Sequence, residues 1–327
     1  MSVLFDVDLG TENDIHSRYL HIRDHESRLR QHLESEWEKF RERADPDFRQ
    51  QLSKASSFES RAWEMRVRVY LMHKFGDKFV HGSPNSKGLD LCVNSSDSKK
   101  IWIECTASGE GVEPLNQVPK MPIVNRHSGP QPKAISVGDG RIELRFSNSI
   151  SVKLRDQIIP NRESGRIKPN DSILIALSAS NIDLCQYPMV SEIGCPRGLH
   201  PLVTMLYASD KGIYEGFAPH PNGFICGRKP YSTKVKRDAP TEGVFPTSID
   251  TDYFVSSKYA YLSAVLFCPT NTVSRKYLNG DPVGNDFMLI DNPLATTPTP
   301  RNWLKEGIKF WIDESKSNGD RMIRRKD

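Results

Sequence analysis

Apolar residues in this chain recur with two different periods, and the switches between them divide it into elements. Between residues 12 and 44 the apolar positions Ile15, Tyr19, Ile22, Leu29, Leu33, Trp37 and Phe40 form a narrow stripe in a highly charged segment. That stripe predicts one long helix, broken by Ala44-Asp45-Pro46-Asp47. A second helix is expected over 56–75, with Phe58, Ala62, Met65 and Val69 on its buried face and Gly76 as its stop. Three short strands follow at 78–81, 88–93 and 100–107, separated by polar turns. Residues 108–140 have no period and read as a long loop. Residues 141–146 alternate and predict a strand; a helix over 149–159 turns Ile150, Leu154 and Ile158 inward and ends at Pro160. The continuous apolar run 172–177 predicts a strand covered on both faces.

Further on, 212–248 is loop-rich, strands are expected at 259–268 and 286–290, and a helix over 300–313 would pack through Trp303, Ile308 and Trp311. The basic tail from Arg321 should fray. Together these elements predict an α/β fold with a mixed central β-sheet flanked by helices and a long N-terminal helix. The expected organisation is a helical arm over 1–50 and one domain over 51–327, with loop insertions at 108–140 and 212–250. The arm is either a dimerising or partner-binding element or a helix folded back on its own domain. Its stripe is short for a coiled coil, which favours the second.

Composition narrows the class without choosing a function. The 327 residues carry 45 Lys and Arg against 41 Asp and Glu, a net charge of +4 that is compatible with a nucleic-acid partner but does not require one. Neither a basic leader nor an apolar run near the ~20 residues needed to span a bilayer is seen, so a cytoplasmic protein without a membrane partner is expected. The six cysteines are scattered and expected to be free thiols. Cys185, Cys195, Cys226, His200 and His220 match no common zinc spacing.

The chemistry lies in two acids placed inside apolar strands. Asp90 sits between Leu89 and Leu91, and Glu104 between Ile103 and Cys105. Alternation turns each acid away from its apolar neighbours, and the short connection between the strands brings both to one point. Two converging carboxylates repel, which raises a pKa or demands a cation. Oxygen ligands of this kind suit Mg²⁺ or Mn²⁺, which activate water and neutralise charge on a phosphodiester.

The order helix, strand, strand with Asp, strand with Glu, helix, carried by Gly88-Leu89-Asp90-Leu91-Cys92-Val93 and Ile101-Trp102-Ile103-Glu104-Cys105-Thr106, resembles the PD-(D/E)xK nuclease superfamily, the restriction-endonuclease-like fold. The resemblance implies a metal-dependent nuclease acting on DNA, in restriction, antiviral defence or repair, with Asp90 and Glu104 as catalytic metal ligands. It also implies a third acid from the preceding helix. Glu64 is the candidate, because Glu59 is expected to close a capping box with Ser56; the other reading of Glu64 is an ion pair with Arg61 or Arg68. The sequence departs from the pattern at Thr106, where the superfamily has a lysine. Threonine supplies no cation to position water or stabilise negative charge. Either the fold is an inactive nucleic-acid-binding or assembly module, or the lysine comes from elsewhere. Lys153 is the candidate, with Gln157 four residues on along the same helix face to hold a phosphate or base; the alternative is a solvated Lys and Gln. Arg141 and Arg145, on one face of the expected strand, and the loop cluster Arg228, Lys229, Lys234, Lys236 and Arg237, interleaved with Phe224 and Tyr231, are candidate nucleic-acid contacts.

Overall fold

In the computed structural model the N-terminal stripe folds as two helices, α1 (Ser17–His25) and α2 (Ser27–Glu38), where one was expected. The break is Glu26, whose backbone leaves the helical region at φ −117°, ψ 66°. Its carboxylate turns back onto Arg18 through two hydrogen bonds of 3.0 and 2.9 Å, which fixes the corner. The structure describes residues 3–7, 14–81, 88–95, 99–109, 111, 117, 139–182, 200–207, 224–226, 234–236, 248–250, 252–269, 284–300, 302–304, 306–313 and 321–326. Most of the expected loops at 108–140 and 212–248 lie outside these residues.

After α3 (Phe48–Ser53) the chain enters α4 (Phe58–Phe75), which stops at Gly76 as expected. The expected capping box does not form. Ser57 is the N-cap, and its hydroxyl donates to the Gln51 carbonyl (2.7 Å), while Glu59 is buried. Strands β1 (Phe79–His81), β2 (Leu91–Asn94) and β3 (Lys100–Ala107) form an antiparallel meander.

Residues 141–146 are helical, not a strand: they belong to α5 (Asp139–Lys153). The alternation of Ile142, Leu144 and Phe146 misleads over six residues. Over the longer window Ile142, Phe146, Ile150, Leu154 and Ile158 recur every four, and all are buried. Nor does Pro160 end this helix. Proline has no N–H to continue the α-helical ladder, so the backbone widens into a π turn over Leu154–Ile158 and continues as α6 (Ile159–Glu163). The Asn161 side chain donates to the Gln157 carbonyl there (2.8 Å).

The chain then runs through β4 (Ser172–Ser178), α7 (Pro201–Leu206), β5 (Phe224–Cys226), β6 (Lys234–Lys236), β7 (Ser248–Asp250), β8 (Ala264–Cys268), β9 (Met288–Asp291), β10 (Ile308–Asp313) and β11 (Arg321–Lys326). The helix expected over 300–313 is replaced by a turn and β10. Gly307 sets the turn at φ +82°, where a Cβ would lie 2.3 Å from the Phe287 carbonyl oxygen. Ile308 N–H then donates to that carbonyl (2.8 Å) and starts β10 alongside β9. The tail expected to fray is β11, paired with β10 and β5.

Among the described residues these strands make a mixed sheet in the order β1-β2-β3-β4-β8-β9-β10-β11-β5, with β3, β4 and β8 parallel, and a separate β6–β7 ribbon. Helix α5 covers one face through Ile142, Phe146, Ile150 and Leu154, against Ile173, Ile175, Leu177, Val265 and Phe267. Helix α4 covers the other through Trp63, Val67, Tyr70 and Leu71, against Leu91, Ile101, Ile103 and Leu174. Its second face, Phe58, Ala62, Met65 and Val69, is the stripe read from the sequence. That face is covered by Tyr19, Ile22, Leu29, Leu33, Trp37, Phe40 and Phe48 of the N-terminal segment. The segment is thus a fourth layer, folded back on α4. No described helix is long and apolar enough to cross a membrane.

Trp37 is buried in this outer layer and stacks on Phe48 with centroids 5.6 Å apart. Trp37→Ala is expected to lower unfolding stability by about 3 kcal/mol, read from the urea midpoint. A loss below about 0.5 kcal/mol, the range of a surface change, would mean that the segment is not packed on α4.

Candidate functional site

The β2–β3 ladder pairs Leu91 with Ile103 and stops there. The next rung would set Asp90 opposite Glu104. Asp90 instead lies on the bend just before β2, not inside the strand as expected, and the two carboxylates take over the ladder bonding. Glu104 Oε2 accepts the Asp90 N–H at 3.3 Å, and Asp90 Oδ2 accepts the Cys105 N–H at 2.8 Å. Directly opposed like charges destabilise a sheet, so this exchange locks together two groups that would otherwise separate.

Lys153, the last residue of α5, crosses the face of β3 and places Nζ 2.6 Å from Glu104 Oε1. Glu104 is 2% exposed, the Lys153 side chain 25%, and Asp90 is partly buried. Burial dominates the electrostatics. It pushes the Asp90 carboxyl well above the usual carboxylate range, with the charges of Glu104 and Glu64 adding to the rise and Lys153 opposing it. Glu104 is raised by burial too, with Lys153 offsetting part. For Lys153 burial acts downward, but the negative charges of Glu104 and Asp90 outweigh it and hold the ammonium protonated.

Glu64 stands close enough for its charge to act on both acids, and its own oxygens are taken. Arg61 donates to Oε2 and Arg68 to Oε1, each at 2.6 Å. The residue is buried, unlike an ordinary surface helix pair. Arg61 also reaches Asp45 in the N-terminal segment (3.2 Å), and Arg68 lies over the Phe40 ring (5.2 Å). The sequence reading treated Arg61 as a partner of Glu64 only. Its i,i+3 spacing from Glu64 was the available signal; its closeness to Asp90, whose charge helps raise its pKa, depends on the tertiary fold.

Arg141 and Arg145 lie on α5, four residues apart and in step with Ser149 and Lys153, so they share one side of the helix. Ser149 Oγ receives a bond from Ser108 just past the end of β3 (2.9 Å), and Arg141 Nη1 donates to the Gln117 carbonyl (3.3 Å). Gln157 is partly buried in the π turn. Lys234 and Lys236 are on β6, whose ribbon packs against α5; Arg228, Lys229 and Arg237 lie outside the described residues. Cys92, Cys105 and Cys268 are free thiols. His200 caps α7 by accepting the Leu202 N–H, and burial drives its imidazole down to about 3, so it stays neutral. Among the described residues no three His, Cys, Asp or Glu side chains form a ready cage for a metal ion. The donor set is the Asp90–Glu104 pair, with Glu64 beside it and held by arginines.

Raised carboxyl pKa values carry a stability consequence. Asp90 binds its proton more tightly folded than unfolded, so its contribution to stability is lost as pH rises from the unfolded value, about 3.9, through the folded one. In EDTA at pH 8, Asp90→Asn is therefore expected to raise the melting temperature by about 2 °C, with the gain vanishing near pH 4. An unchanged or lower melting temperature at pH 8 would show that Asp90 is not electrostatically strained.

No protein-family model, no curated protein and no solved structure matches the chain.

Proposed function

We propose that the chain is a divalent-metal-dependent nuclease of the PD-(D/E)xK type that hydrolyses DNA, with α4, β1–β3 and α5 as its restriction-endonuclease-like core. The observation that carries this reading is the contact between Lys153 and Glu104. Residues 104 and 106 fall on the same face of β3, where the superfamily's lysine would stand; Thr106 fills that position and is buried. The cation comes instead from α5, across that same face. A lysine held charged beside two strained carboxylates supports a catalytic reading, since perturbed groups of this kind cluster at functional sites.

The donor chemistry fits a hard divalent cation. Two carboxylates against one ammonium leave one negative charge, and Asp90 Oδ1 has no hydrogen-bond partner among the described residues. Asp90 and Glu104 would hold Mg²⁺ or Mn²⁺, which supplies charge neutralisation and a more acidic water. Glu64 would complete the ligand set. Lys153 orients water and stabilises charge at the phosphorus, while Gln157, Arg141, Arg145 and the basic residues 228, 229, 234, 236 and 237 position the strand. Roles in restriction, antiviral defence or repair follow from the resemblance alone.

Thr106 and the double arginine hold on Glu64 favour a second reading, a nuclease fold kept for binding nucleic acid without cutting it. Incubating supercoiled, linear and single-stranded DNA with Mg²⁺, Mn²⁺ or EDTA separates the two. The nuclease reading expects metal-dependent cutting that Glu104→Gln abolishes and Lys153→Met lowers by about 10²-fold or more. Cutting that survives Glu104→Gln would refute this site. A wild type that shifts DNA but never cuts it would establish the binding module.

A further inference from the structure

Resting on the nuclease reading, we propose that Arg61 is a phosphate clamp for the substrate strand and a removable cap on Glu64, so that phosphate binding frees the third acidic ligand. The position of Arg61 comes first. Its neighbour Ser60 accepts the Ala107 N–H through Oγ (3.3 Å), which sets the first turn of α4 at the end of β3, the strand that carries Glu104. Arg61 follows Ser60 in that turn and is near enough to Asp90 for that carboxylate's charge to act on it.

The two arginines on Glu64 are not equivalent. Arg68 is 3% exposed and packs over the Phe40 ring. Arg61 is 24% exposed; its guanidinium packs over the Phe48 ring (5.7 Å), and it hydrogen-bonds through Nη1 alone, which it divides between Glu64 Oε2 and Asp45 Oδ2. Its Nε and Nη2 make no hydrogen bond to any described residue. A guanidinium with one edge held and another open is arranged to take a phosphate in two-pronged fashion. Glu64 is buried, so its pair with Arg61 is released only if Arg68 continues to satisfy the acid and a phosphate takes up the Arg61 charge. A phosphate entering beside Asp90 and Glu104 also meets their negative charge, and Arg61, with Lys153, is a partly exposed cation placed to offset it. Once Arg61 turns to the phosphate, Glu64 keeps Arg68 and its Oε2 is free.

This couples two bindings, and the coupling must be reciprocal. Mn²⁺ affinity is to be measured by calorimetry with and without a cleavage-resistant phosphorothioate DNA oligonucleotide, for wild type, Arg61→Gln and Arg61→Lys. Oligonucleotide affinity is to be followed by anisotropy across a salt series. Arg61→Gln is expected to bind Mn²⁺ about tenfold more tightly than wild type when no DNA is present, because Glu64 is uncapped. It should bind the oligonucleotide about tenfold more weakly, with the salt slope reduced by about one. The oligonucleotide should raise the Mn²⁺ affinity of wild type more than that of the variant. Arg61→Lys, which keeps the charge and loses the fork, should restore the salt slope but not the affinity.

If Arg61→Gln matches wild type in both measurements, or binds Mn²⁺ less tightly, Arg61 is a structural partner of Glu64 and the inference falls while the nuclease reading stands. If wild type binds neither Mn²⁺ nor the oligonucleotide, both fall. Should Arg61→Gln melt below the assay temperature, Arg61→Lys decides: oligonucleotide affinity equal to wild type would overturn the clamp. Repeating the Mn²⁺ titration with inorganic phosphate in place of the oligonucleotide identifies the source. A rise with phosphate alone assigns the clamp to a terminal phosphate, and a rise only with the oligonucleotide assigns it to an internal phosphodiester.

Discussion

A carboxylate inside a sheet must find partners or become neutral, and Glu104 is the point at which this chain meets that requirement. One oxygen takes the Lys153 ammonium and the other the Asp90 N–H. Each partner imposes a constraint on the rest. Lys153 ends α5, so α5 must cross β3 at that height, and the apolar row from Ile142 to Leu154 fixes it there. Asp90 must leave the ladder at the rung where β2 would otherwise continue. The two features that look irregular, a strand that starts one residue late and a helix that widens after Lys153, both border this one buried acid.

Helix α4 explains how the opposite side of the site is held. It is covered on two faces, by the sheet and by the N-terminal segment, so Glu64 and Arg68 are buried and pair with each other, while Arg61 stays partly exposed. Asp45, Arg61, Glu64 and Arg68 form one charged chain from the outer layer to Glu64, whose charge acts on Asp90 and Glu104. The N-terminal segment thereby contributes to the electrostatics of a site it does not line.

Much of this was readable from residue order, and the failures have physical causes. Strand β3 and the convergence of Asp90 and Glu104 follow from acids set in apolar strands with a short connection. Lys153 follows from the inward residues beside it. The first half of α5 was misread because a six-residue alternation satisfies a strand and an amphipathic helix alike; only the four-residue row through Ile158 decides. Residues 300–313 were misread because Trp303 and Ile308 mimic a helical face, and what prevents the helix is Gly307 pressed against the Phe287 carbonyl, a contact made across sequence. Arg61 was read only as a partner of Glu64 because its place beside Asp90 depends on how α4 lies along β3.

The strand order also says something about how the molecule comes together. Every residue of the acidic centre lies between Arg61 and Lys153, and the elements that hold it are neighbours along the chain. The far edge of the sheet is different: Phe224 meets Ile323, roughly a hundred positions later. Closing a loop of that length is entropically unfavourable until the contacts at its end are made. On these grounds the half that carries Asp90 and Glu104 is expected to assemble early and the β5–β11 edge last. Until β11 arrives, β10 offers an unpaired strand edge, the kind of surface on which newly made chains associate wrongly.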